Sequence, residues 1–141
     1  NVNVFSGIFS KIKEFREWLS QYEIKLMLEP GRFIAAPAGK LITEIIGIHG
    51  NNIIVNASVY NTDMDAILVP VKLMVEGELK QGEGMAYVIK GVTPCSMDLF
   101  RYRVYLNNPK VGDSLVFLNA GAYNFRTDFC DLKELETEVV E

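Results

Sequence analysis

Leu41-Ile42-Thr43-Glu44-Ile45-Ile46-Gly47-Ile48 and Asn52-Ile53-Ile54-Val55-Asn56-Ala57-Ser58-Val59-Tyr60 are two runs rich in β-branched residues, joined through Gly50-Asn51-Asn52. Branching at Cβ stiffens a side chain and suits it to a pleated surface. Gly and Asn tolerate the positive φ that a tight hairpin turn demands, so the stretch predicts a β-hairpin. The pattern continues downstream. Ala66 to Val75 and Met85 to Lys90 predict further strands, separated by the loop Gln81-Gly82-Glu83-Gly84. Leu99 to Leu106 alternates, with Phe100, Tyr102 and Val104 on one face and Arg101, Arg103 and Tyr105 on the other. Asn107-Asn108-Pro109 and Val111-Gly112-Asp113 mark a turn before a strand at Ser114 to Leu118, and Leu135 to Val140 predicts a last one. From Phe33 onward the chain reads as mainly β.

Upstream the period changes. Phe5, Ile8, Phe9, Ile12, Phe15, Trp18, Leu19 and Tyr22 recur at three- and four-residue steps, with Lys11, Lys13, Glu14, Arg16, Glu17 and Gln21 on the other face. This predicts an amphipathic helix, the only one in the chain, with Ser6 as its N-cap. Ile24-Lys25-Leu26-Met27-Leu28 follows at once and stops at Pro30-Gly31. Its brevity and lack of alternation predict a strand buried on both faces, as in a parallel sheet. Helix and strand together make half of a βα repeat, the expected end of an α/β barrel whose earlier repeats are not in this sequence.

Composition narrows the function classes. The chain has 141 residues, enough for one domain plus a remnant of another, and is 49% hydrophobic. No apolar run approaches the ~18 residues of a membrane-spanning helix. The formal net charge is -4 and the 14 Lys and Arg form no cluster, so no nucleic-acid or membrane partner is expected. Cys95 and Cys130 are the only cysteines, which makes no disulfide framework, and no secretion signal is visible, so the expected compartment is the cytoplasm. The single histidine, His49, sits in the hairpin turn, and no metal-ligand spacing exists. Asp63 and Asp65 read as part of a polar loop. The chain begins with Asn, as expected of an excised piece.

Three motifs carry chemistry. Glu29-Pro30-Gly31-Arg32 sits directly after the short apolar run. Pro-Gly gives a sharp turn with exposed amides and no Cβ in the way, and Arg32 adds a permanently charged donor. Such a turn either cradles a phosphate or is an ordinary turn with a surface ion pair. Ala120-Gly121-Ala122-Tyr123 pairs small residues, which admit close backbone packing, with a phenol, and it follows Gly112-Asp113-Ser114-Leu115. Gly91-Val92-Thr93-Pro94-Cys95-Ser96-Met97-Asp98 presents a thiol inside a Gly and Asp frame.

In this order and spacing the motifs resemble those of the pyridoxal-phosphate-dependent ornithine/diaminopimelate/arginine decarboxylases, which share the alanine-racemase-like fold. The resemblance covers essentially the whole sequence but only about the last third of such an enzyme. It implies that residues 1–32 are the final helix and strand of a (β/α)8 barrel, and that residues 33–141 form a C-terminal β-barrel or sandwich of Greek-key type. It implies pyridoxal 5'-phosphate as cofactor, with Glu29 on the ring nitrogen and Gly31, Arg32 and Tyr123 at the phosphate. It further implies an amino-acid substrate and a homodimer that shares its active site.

Departures from the family matter too. With Gly91 and Asp98 aligned to its pattern, Pro94 falls where the family has its proton-donating cysteine, and Cys95 falls where it has the acid that grips a distal ammonium. Cys95 is then either the proton donor or a structural thiol. Ala66-Ile67-Leu68-Val69-Pro70 lacks the arginine by which diaminopimelate decarboxylases hold the distal carboxylate. Neither ornithine nor diaminopimelate is the expected substrate. The Schiff-base lysine belongs to the earlier barrel, so the chain alone is expected to be inactive. Two alternatives remain: a non-catalytic assembly module derived from such an enzyme, or part of a racemase of the same fold.

Overall fold

The computed structural model describes residues 7–69, 71–123 and 131–140. The chain divides into two compact units, Asn1–Pro30 and Gly31–Glu141.

The first unit holds helix α1, Ile8–Ser20. It starts at Gly7, in the left-handed region at φ 86, where Gly pays no Cβ penalty. Ser6, the expected cap, lies outside the described residues. Phe15 stacks on Trp18 at 5.9 Å between ring centroids, and Trp18 meets Tyr22 at 5.2 Å. These rings form the apolar stripe that the periodicity predicts, yet only Leu19 on the helix is buried. The expected strand over Ile24 to Leu28 is absent: the segment is irregular, and Ile24, Met27 and Leu28 are exposed. A strand needs a hydrogen-bonded neighbour, and none of the described strands pairs with this segment.

The second unit is a six-stranded sheet: β1 Leu41–His49, β2 Asn52–Val55, β3 Met74–Val75, β4 Met85–Lys90, β5 Leu99–Leu106 and β6 Ser114–Leu118, in the order β3-β6-β1-β2-β4-β5. Neighbours are antiparallel except β2 and β4, which run parallel. The two outer strands approach each other. Leu79 N donates to Tyr105 O at 2.9 Å, and the Arg101 guanidinium reaches Leu73 O at 2.7 Å and Glu78 Oε1 at 2.7 Å. The sheet thus curls into a nearly closed barrel, which leaves little unpaired edge. Inward residues fill it: Ile45, Ile53, Val55, Val59, Ile89, Phe100, Val104 and Phe117 are almost wholly buried. Phe100 and Phe117 stack across the interior at 4.7 Å.

The hairpin forms as the sequence predicts, with His49 opposite Asn52. Other stretches differ. Only Asn52–Val55 of the second expected strand pairs; Val59–Thr62 is a short helix, α3. Ser58 Oγ accepts from Tyr60 N at 3.2 Å, and Thr62 Oγ1 donates to Ser58 O at 2.6 Å. These local side-chain bonds compete with a strand ladder and win. Of the run Ala66 to Val75, only Met74–Val75 is a strand, because Asp65–Leu68 forms helix α4. Residues 32–35 form helix α2 and Ala36–Ala38 a 3-10 turn, so the β region begins at Leu41. Tyr102 is exposed, unlike Phe100 and Val104, because the β4–β5 register shifts between Tyr87 and Ile89. Leu135 packs on the core, but Leu135 to Val140 forms no strand.

Candidate anion site at Gly31, Arg32 and Tyr123

Strands β1 and β6 are antiparallel, with Leu41 opposite Phe117. The segment entering β1 and the segment leaving β6 therefore meet at one end of the barrel. Ala120 N donates to Gly39 O at 2.9 Å, and Gly121 N to Ala36 O at 3.1 Å. The approach is so close that a Cβ on Gly39 would lie 2.9 Å from Gly121 Cα, and one on Gly121 would strike the Ala35 carbonyl. Small residues at both places make the contact possible.

This contact assembles the site. Gly31 O accepts from Ile34 N at 3.1 Å and Ala35 N at 2.9 Å, which starts α2 at Arg32. A Cβ on Gly31 would sit 2.7 Å from Tyr123 Oη, so only glycine leaves room for the phenol. The Arg32 guanidinium lies over the Tyr123 ring, 5.1 Å from its centroid. Tyr123 itself is 68% exposed and adopts φ 59, a conformation uncommon for a bulky residue and a pointer to function. Sequence motifs far apart in the chain thus converge on one half-buried cation and one exposed phenol, packed together by the missing side chain of Gly31.

Behind Arg32 lies an acidic pair. Arg32 Nη2 bonds Asp65 Oδ2 at 2.5 Å, and Asp65 is nearly buried. Asp63 has no solvent exposure, and among the described residues its carboxylate is weakly supported, with the Ala66 backbone N–H drawing its pKa down. Burial pushes the Asp63 carboxyl up to about 7, opposed by attraction to Lys72 and reinforced by Asp65. Lys72 Nζ donates to Ala66 O at 3.3 Å and Leu99 O at 3.2 Å, and burial holds its ammonium below the usual range despite Asp63. The reading of Asp63 and Asp65 as a polar loop is therefore corrected. The stretch turns inward because α3 and α4 pack Val59 and Ala66 on the core and carry the acids with them.

The Gly91–Asp98 frame is a clamp. Asp98 Oδ1 accepts from Val59 N at 2.9 Å, and its Oδ2 accepts from Thr93 N at 3.0 Å and Thr93 Oγ1 at 2.7 Å. A Cβ on Gly91 would collide with that carboxylate. Cys95 projects from the clamp, exposed, with Tyr60 Oη 3.0 Å from its Sγ. The Tyr60 hydrogen bond is the main cause that holds the thiol below its ordinary pKa. Sequence reading missed Tyr60. Glu29 is exposed and belongs to the first unit. Cys130 lies outside the described residues.

A phosphate monoester needs cationic and N–H or O–H donors within reach of solvent. Arg32 and the exposed Tyr123 hydroxyl supply one of each. These residues fit the phosphate end of pyridoxal 5'-phosphate.

The family model for the pyridoxal-dependent decarboxylase C-terminal sheet domain matches residues 13–121. The lysine/ornithine decarboxylase from Vibrio vulnificus, solved with cadaverine, superposes with a TM-score of 0.65 at 26% identity, covering 83% of this chain and 34% of that one. The diaminopimelate decarboxylase from Helicobacter pylori, solved with L-lysine, gives 0.63 at 25%, covering 77% and 27%. The carboxynorspermidine decarboxylase from Campylobacter jejuni shares the fold, with 0.64 at 24%, covering 82% and 36%. This chain thus spans about a third of these structures' length. No curated protein matches the sequence. Among the described residues no helix is long and apolar enough to cross a membrane. By the match over residues 13–121 and the barrel that carries it, the chain belongs to the pyridoxal-dependent decarboxylases, as their C-terminal sheet domain.

Proposed function

We propose that this chain supplies the β domain, residues 33–141, and the last barrel elements, residues 1–32, of a cytoplasmic, homodimeric amino-acid decarboxylase. The observation that carries the reading is the Gly31–Arg32–Tyr123 assembly, in which the phenol fills the space that glycine vacates and the guanidinium covers the ring. Arg32 and Tyr123 Oη would hold the cofactor phosphate. Glu29 would keep the ring nitrogen protonated. When bound, pyridoxal phosphate supplies the electron sink for the pair left behind as carbon dioxide departs. Cys95 Sγ, reaching the partner's active site, would deliver the proton that replaces the carboxylate on Cα. The Tyr60 bond suits that role, since it favours the thiolate to which the thiol returns.

Substrate choice follows from charge. A distal ammonium needs a carboxylate partner, and Cys95 stands where the family's acid would be. Neither ornithine nor meso-diaminopimelate is the proposed substrate. The test reconstitutes the enzyme from this chain and a barrel domain that carries the Schiff-base lysine. Carbon dioxide release is then screened against amino acids with neutral, acidic and basic side chains. The chain alone should release none, and the reconstituted enzyme should prefer a substrate other than those two. Arg32→Met should weaken cofactor affinity roughly 10- to 100-fold, the worth of one charge-assisted hydrogen bond. Unaltered affinity in that variant would remove Arg32 from the site, and no release with any substrate would favour an assembly module.

A further inference from the structure

We propose that Asp63 sets the charge, and so the anion affinity, of the site at Arg32. Its proton decides whether the cluster that includes the guanidinium is cationic or neutral. The inference rests on the reading of Gly31, Arg32 and Tyr123 as phosphate contacts and deepens it.

The geometry is a short series of charges leading inward. Arg32 stands at the surface beside Tyr123 and pairs with Asp65. Asp63, at the end of α3, is fully buried and close enough to Asp65 to be raised by its charge, with only weak hydrogen bonding to its carboxylate among the described residues. Lys72, following α4, attracts it as the largest opposing influence on its charge. Arg101 on β5 acts on Lys72, but is itself committed to Glu78 Oε1 at 2.7 Å and to Leu73 O. Arg32, Asp65 and Lys72 are thus the charged groups acting on Asp63.

A fully buried carboxylate with so little hydrogen bonding calls for a reason, because each such group costs stability that an apolar residue would not. Counted together, Arg32, Lys72 and Asp65 carry one net positive charge when Asp63 holds its proton. Ionised Asp63 cancels it. Desolvation places that change at about 7. An anion seated on Arg32 favours the protonated form, and by linkage the protonated form favours the anion. Binding of a phosphate monoester should therefore weaken as pH rises through about 7 and should draw a proton onto Asp63.

The probe is pyridoxine 5'-phosphate, which has no aldehyde to bond lysines indiscriminately, with pyridoxine as the control. Affinity is read by chemical-shift titration of the chain between pH 5.5 and 8.5, for wild type, Asp63→Asn and Arg32→Met. The ratio of wild type to Asp63→Asn at each pH cancels the ligand's own phosphate titration. Asn keeps the shape without the charge, and a melting curve at each pH confirms that the variant folds. The expected ratio is near one at pH 5.5, and at pH 8.5 the variant binds roughly three- to tenfold tighter. Calorimetry in buffers of different ionisation enthalpy should show that wild type takes up more protons on binding near pH 7.5 than the variant does. A ratio that stays flat with pH, while Arg32→Met still loses phosphate-dependent affinity, overturns the role of Asp63 and leaves the site standing. Absent phosphate-dependent binding, or binding that Arg32→Met leaves unchanged, overturns the site reading and the proposal with it.

Discussion

Tyr60 Oη and Cys95 Sγ, 3.0 Å apart, make a pair that sequence separation hides. A thiolate accepts a phenolic hydrogen bond better than a thiol does, so the contact favours ionisation. Tyr60→Phe removes it and should move the midpoint of Cys95 alkylation by iodoacetamide to higher pH, with slower labelling near neutrality. Peptide mapping would follow Cys95 apart from Cys130. An unshifted midpoint would show that the hydroxyl does not support the thiolate. At this scale the sequence was readable only in part. Gly31, Arg32 and Tyr123 were named together through the family resemblance, and the fold does bring them together. Asp63 and Asp65 were not recognisable as buried, since burial of a carboxylate depends on which way its segment turns. The available signal was a nearby lysine, Lys72, set in the apolar run Ile67 to Val75.

Between elements, the contact of the 3-10 turn with the loop after β6 holds the site in register. It depends on two glycines facing each other, Gly39 and Gly121. Gly121→Ala would drive a methyl group into the Ala35 carbonyl, and overpacking of this kind costs about 1–3 kcal/mol. Gly82→Ala is the control. Gly82 has φ 91 with nothing near its missing Cβ, so only the backbone penalty of about 1 kcal/mol applies there. The first variant should melt lower than the second and lose affinity for pyridoxine 5'-phosphate, whereas Gly82→Ala keeps it. Equal effects on both would mean that the close approach is dispensable. The strands were legible where β-branched or alternating residues ran unbroken, as in β1, β4 and β6. They were misread at Asn56 to Tyr60 and over much of Ala66 to Val75. There Ser58, Thr62 and the distant Asp98 carboxylate capture backbone groups that a ladder would otherwise use. A short apolar run has no period long enough to separate a buried helix from a strand.

For the molecule as a whole, the second unit contains its own core. Every member of the main hydrophobic cluster, from Ile45 to Ala120, belongs to Gly31–Glu141. The first unit contributes one helix of 13 residues, a length at which isolated helices are marginal in water, and its aromatic stripe is exposed. Cooperativity therefore resides in the barrel. A chain shortened to residues 31–141 should keep a single sigmoidal melt and the sheet signal in circular dichroism. Its melting temperature should stay within a few degrees of that of the full chain, since about 1 kcal/mol moves a domain of this size by roughly 4 °C. Phe100→Ala in that shortened chain opens the stack on Phe117 and should cost about 3–5 kcal/mol, enough to melt much of a domain of ordinary stability. If removing residues 1–30 alone abolished the transition, the closed barrel would not be the folding unit. The anion site at its end would then depend on the first unit for its shape, and not on the β1–β6 pairing that brings Arg32 to Tyr123.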